Sequence, residues 1–143
     1  MIIKTLLYLA FALITHELGH YLSARALGFK VSQFHIGMGW ELFKFNKGGT
    51  EFLFKIAPFA GHIRLDIDIP NLTRAEKLKS TIVCLAGPAV NIVLGLLLLK
   101  FNAKLALMSI LSGLGNLIPI IPGSDGQQFI AYTYSAITHK DNK

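Results

Sequence analysis

Residues 80–99 read STIVCLAGPAVNIVLGLLLL, twenty positions without a single charge. At 1.5 Å per residue a helix of this length matches the roughly 30 Å hydrocarbon core of a bilayer. The rest of the composition agrees. The chain has 143 residues, enough for one domain; 52% are hydrophobic and 15% charged, against about 25% charged in a typical soluble domain. Mean hydropathy is +0.52. Ten Phe stand against eight Asp plus Glu. Disorder, coiled coil and collagen are excluded, and so much apolar surface would overfill a soluble core of this size. One cysteine, Cys84, excludes an intramolecular disulfide framework and a multi-cysteine zinc site.

Upstream of that span, residues 3–27 form a second apolar segment, interrupted by Thr15-His16-Glu17-Leu18-Gly19-His20 and closed by Gly28. A signal peptide is the competing reading of this segment, but four polar residues lie between its apolar run and the formal Ala24-Arg25-Ala26 cleavage pattern. Residues 28–77 change character. Glu51–Ile56 and Ile63–Ile69 alternate with period two, Asn46-Lys47-Gly48-Gly49 reads as a turn and Pro58 as a breaker. A small antiparallel sheet of three or four strands is expected, followed by an interfacial helix start with Thr73 as N-cap. Downstream, residues 105–137 read as a third membrane segment broken by Pro119, Pro122, Gly123, Ser124, Asp125 and Gly126. Broken backbone at membrane depth is tolerated only where protein or a wet cavity surrounds it.

The net charge is +6. Lys30, Lys44, Lys47, Lys55, Arg64, Arg74, Lys77 and Lys79 fall between the first two spans, with Arg25 just before them; only Lys4, Lys100 and Lys104 lie on the other side. The positive-inside rule then makes this a multi-pass membrane protein with its β segment and C-terminus in the cytoplasm, the plasma membrane being the expected location. The basic residues are spread through strands with no dense basic face, which argues against nucleic acid as a partner.

His16-Glu17-Leu18-Gly19-His20 is H-E-x-x-H. On a helix the two imidazoles, four residues apart, share one face and can hold one zinc, with Glu17 beside them to take a proton from water. Ionisable groups inside a hydrophobic segment are costly and by default functional. A catalytic zinc normally has three protein ligands. Asp125 is the only acidic residue between Glu76 and Asp141, and it sits where prolines and glycines unwind the third segment. Two readings of it stand: the third ligand, or a solvated turn aspartate. Asp66 and Asp68, alternating with Ile63, Leu65, Ile67 and Ile69, are weaker candidates. His35, His62 and His139 are set aside as non-ligands, although His62 follows a glycine-rich turn that could bring it near the site.

HELGH in a first span, Gly87-Pro88-Ala89-Val90-Asn91 in a second, and Asn116-Leu117-Ile118-Pro119 running to Asp125-Gly126 in a third resemble the site-2 protease family of intramembrane zinc metalloproteases. Ile36-Gly37-Met38-Gly39 and Ala57-Pro58-Phe59-Ala60-Gly61 resemble the glycine-rich stretches that follow the first core helix there. The resemblance covers essentially the whole chain. It implies an α-helical membrane fold, a three-transmembrane-helix catalytic core with a small antiparallel β segment between helices 1 and 2. It implies zinc bound by His16, His20 and Asp125, Glu17 as catalytic base and Asn116 as a contributor to the active site. Asn91 is open between an interhelical hydrogen bond and substrate contact. The implied activity is endopeptidase cleavage in or near the transmembrane segment of a membrane protein substrate. The expected partners are that substrate, the bilayer, and a homo-oligomer or accessory membrane protein. An inactive scaffold and a zinc-binding regulator of the same fold are the alternatives. Two departures are visible: Ser124 stands where the family carries Leu, and Asn116 lies one residue farther from Asp125 than the family spacing.

Overall fold

The computed structural model describes residues 2–138. The order of elements is α1 (Ile2–Ala26), β1 (Val31–Lys47), β2 (Thr50–Leu65), a 3-10 turn at Ile69–Asn71, α2 (Arg74–Leu98), α3 (Ala103–Asn116) and α4 (Asp125–Thr138). Two of these helices, α1 and α2, are long and apolar enough to cross a membrane. Each has 25 residues, about 37 Å of helix. The third segment, read from the sequence as broken around Pro119–Gly126, is interrupted in that region. It is two separate 14-residue helices, α3 and α4, and neither alone spans the roughly 30 Å of hydrocarbon. The Pro119 and Pro122 interruptions remove helix donors, and the chain turns through residues 117–124.

Helix boundaries follow local chemistry. Gly28, at φ +89°, ends α1 in the left-handed conformation, and Phe29 N–H returns to Ala24 O at 2.9 Å. Thr73 begins α2 with a complete capping box: its hydroxyl accepts from Glu76 N–H, and the Glu76 carboxylate accepts from Thr73 N–H at 2.9 Å. The interfacial start and the apolar span are therefore one continuous helix.

The sheet is two long strands, β1 and β2, in antiparallel pairing, where three or four were expected. Lys47 pairs with Thr50 across Gly48 and Gly49, whose φ values of +59° and +79° fit a two-residue hairpin turn. Both strands bend. Gly37 and Gly39 have positive φ, and the register passes from Met38–Ala57 to Ile36–Gly61, so residues 58–60 have no partner on β1. Pro58 thus sits inside β2 at this irregularity and does not end the strand. The bends fold the sheet so that Phe34 has Ile63 on one side and Phe52 on the other.

A small apolar cluster of Ala24, Phe29, Val31 and Val83 joins α1, the sheet and α2. Many large apolar side chains of the helices, Leu22, Leu97, Leu111 and Ile137 among them, point outward. Asn91 ties the helices together. It is fully buried, donates to Ala12 O at 2.9 Å and to Ser112 Oγ at 3.3 Å, and accepts from Thr15 Oγ1 at 2.7 Å. It bonds α2 to α1 and α3 one residue from His16. Replacing Asn91 with Ala leaves buried partners unpaired, so Asn91→Ala should lose about 1–3 kcal/mol of stability, read as a lowered thermal midpoint in detergent.

Candidate metal centre

His16, Glu17 and His20 are all buried on α1, in the turn that faces α2. His16 and His20 are one turn apart, and their rings meet edge to face with centroids 4.7 Å apart. Their Nε2 atoms lie 3.1 Å from each other. Close helix packing makes room for this. A Cβ on Gly19 would press on the Ala86 carbonyl oxygen at 2.7 Å, and one on Gly87 would collide with the His20 ring. Small residues at both positions let α1 and α2 approach.

Asp125 arrives from the other end of the chain. It is the first residue of α4, and Ser124 precedes it as the cap: Ser124 Oγ accepts from Gln127 N–H at 3.2 Å and donates to Ile118 O at 2.8 Å. The serine that departs from the family pattern thus starts the helix that carries the carboxylate. A carboxylate in the first turn is also favoured by the helix dipole. Gly126 lies against the Leu117 backbone so closely that no side chain fits there. These contacts bring Asp125 Oδ2 to 2.9 Å from His16 Nε2, and Oδ1 to 3.1 Å from His20 Nε2.

One ligand atom from each of His16, His20 and Asp125 falls within a 4.8 Å cluster that could hold a metal ion. These contacts put Asp125 beside both imidazoles, partly buried, and not in a freely solvated turn. Two imidazoles and a carboxylate are a zinc donor set. The hydrogen bonding fits as well. Val83 O only accepts, so His20 Nδ1 donates to it at 2.7 Å, which leaves the Nε2 lone pair for an ion. His16 Nδ1 is buried without a partner among the described residues.

The cluster opens on a cavity of about 640 Å³ lined by His16, Glu17, His20, Asn116 and Asp125, with Pro58 to Leu65 of β2 along one side. Glu17 is 5% exposed, and β2 passes so close that a Cβ on Gly61 would sit 2.8–2.9 Å from its Cγ and Oε1. Asn116 ends α3 and lines the cavity; its amide nitrogen donates to Ser112 O at 3.1 Å, and among the described residues it makes no hydrogen bond to His16, Glu17, His20 or Asp125. Asp66 and Asp68 stay outside the cluster; Asp68 accepts from the Asn71 amide at 2.7 Å. His62 does reach the cavity wall. His139 lies outside the described residues. Gly61, Gly87 and the Val83 carbonyl shape the centre; the two glycines stand out only as parts of glycine motifs, and nothing in the sequence sets them against Glu17 and His20.

The profile of peptidase family M50 matches residues 4–102. The chain belongs to this family. It is the site-2 protease family that the three motifs resemble. Relatives include a "Putative zinc metalloprotease" of Campylobacter jejuni, 30% identical over 128 residues, which is 82% of this chain and 35% of the relative. Another of that name, from Clostridium perfringens, is 34% identical over 103 residues, 68% of this chain and 31% of the relative. One from Helicobacter pylori is 43% identical over 65 residues, 46% of this chain and 19% of the relative. The chain spans about a third or less of the length of these relatives. The profile match includes the H-E-x-x-H helix and Asn91 but ends before Asn116 and Asp125, which the fold brings to the same cavity.

The packing of Gly87 on His20 has a measurable consequence. Gly87→Val should displace the His20 ring and weaken zinc binding at least about 10-fold, with helix content unchanged by circular dichroism. Zinc affinity equal to wild type would remove this packing from the account.

Proposed function

We propose that this M50 chain is a zinc-dependent intramembrane endopeptidase, with His16, His20 and Asp125 as ligands and Glu17 as the catalytic base. The observation that carries the reading is the convergence of these four side chains, from two helices far apart in sequence, on one cavity. Zinc, when bound, supplies Lewis acidity that polarises a carbonyl and acidifies water.

The chain's own residues do the rest. The Glu17 carboxylate accepts a proton from the attacking water, whose oxygen bonds to the scissile carbonyl carbon. As the C–N bond breaks, Glu17 returns the proton to the leaving amine. Asn116, on the same wall, serves the substrate backbone or the developing oxyanion. The substrate is a transmembrane segment unwound locally, because a helical peptide keeps its carbonyls in internal hydrogen bonds.

The outward apolar side chains of α1 and α2 face lipid in this proposal, with α3 and α4 together completing a third, broken crossing. In this proposal the β segment, which carries most of the basic residues, lies on the cytoplasmic side, and the membrane is the plasma membrane. A scaffold or zinc-binding regulator of the same fold has no use for a buried carboxylate beside the ligand cluster, which favours the enzyme.

Glu17→Gln separates the roles. It leaves all three ligand side chains in place, so zinc content should match wild type while cleavage of a transmembrane reporter falls about 100-fold or more. Cleavage at the wild-type rate would remove Glu17 as base.

A further inference from the structure

Outside the centre, His35 of β1 and His62 of β2 are cross-strand partners. Their rings meet edge to face, with centroids 4.7 Å apart and planes at 85°. His16 and His20 have the same relation, 4.7 Å and 83°. Hydrogen bonding leaves a ring nitrogen over on each histidine of the pair. The His62 Nε2–H donates to Gln33 Oε1 at 3.3 Å, and the Gln33 amide donates in turn to Glu51 Oε1 at 2.9 Å. That chain of bonds leaves Nδ1 of a neutral His62 as a lone pair. The His35 Nε2 is buried and has no partner among the described residues. His62 is therefore fixed through one nitrogen and keeps the other, and His35 offers a buried nitrogen across the strands, the kind of arrangement that orients ligating imidazoles.

We propose that His35 and His62 form a second site for a divalent transition metal such as zinc, at the rim of the cavity. Imidazole pairs suit Zn²⁺, Ni²⁺ and Cu²⁺, and they bind as neutral rings. Burial, chiefly, holds both rings below the ordinary histidine pKa, with His62 and Lys55 adding to the effect on His35, and Arg64 and Lys55 to that on His62. Both effects favour the neutral ring, the form that ligates a metal ion. The same Lys55 and Arg64 make the site weaker than the His16–His20–Asp125 cluster, where a carboxylate offsets the ion's charge. His62 and Arg64 both line the cavity wall.

The test is zinc stoichiometry by equilibrium dialysis of the full chain in detergent, at low and high free zinc. The wild type should bind one ion at low zinc and a second at high zinc. His35→Asn and His62→Asn, made separately, should each lose only the second, and Asp125→Ala only the first. Circular dichroism checks that each variant is folded. One ion per chain at all concentrations would overturn the proposal. So would a second ion that survives both histidine substitutions. Because the two sites are lost in different variants, failure here leaves the catalytic reading standing.

Discussion

Holding two buried histidines, the buried Glu17 and the partly buried Asp125 in an apolar helical protein is the constraint on which the rest of the structure depends. None of these groups is cheap to remove from water, and alone each would be expelled to a surface or neutralised. Gathered within 4.8 Å, the two imidazoles and Asp125 offset one another and present a zinc donor set. Much of the chain serves this gathering. Gly19 and Gly87 bring α1 against α2, Asn91 bonds α1 to α2 and α3, and Gly126 lets the start of α4 lie on the end of α3. The backbone breaks at 117–124 beside the cavity, where freed polar groups find partners such as Ser124 Oγ on Ile118 O.

The same constraint explains why the β segment lies where it does. On the proposed reading the cavity admits a peptide and excludes most water, which needs a wall with little side-chain bulk near Glu17. Gly61 supplies it, with its backbone almost in contact with the Glu17 carboxylate. The glycines at 37 and 39 bend β1, and the unpaired residues 58–60 bend β2. The sheet thereby reaches from the core cluster around Phe29 and Val31 to the cavity.

Parts of this were legible in the sequence because they are local. The i, i+4 spacing of His16 and His20 places them on one helix face wherever the helix lies. Asp125 stood out as the only acid in a broken apolar segment, and Thr73 with Glu76 spelled out a helix start. Other parts depend on register or long-range approach and carry no local mark. Alternation revealed strands but could not show that they join into two long bent ones, because a glycine with positive φ looks the same in a sequence as any other glycine. Asn91 could have faced substrate or a neighbouring helix; only the positions of Ala12, Thr15 and Ser112 decide for the helices. His35 and His62 looked like ordinary strand histidines until pairing set one opposite the other.

Cys84 lines the same cavity as the ligand cluster, which gives the central claim a sharp spectroscopic test. Zinc K-edge X-ray absorption of the chain loaded with one equivalent of zinc reads the donor atoms directly. The account predicts two imidazole nitrogens at about 2.0–2.1 Å with an oxygen donor at about 2.0–2.2 Å, and no sulfur. A sulfur shell near about 2.3 Å, or a shell of oxygen alone without imidazole scattering, would contradict a centre built from His16, His20 and Asp125.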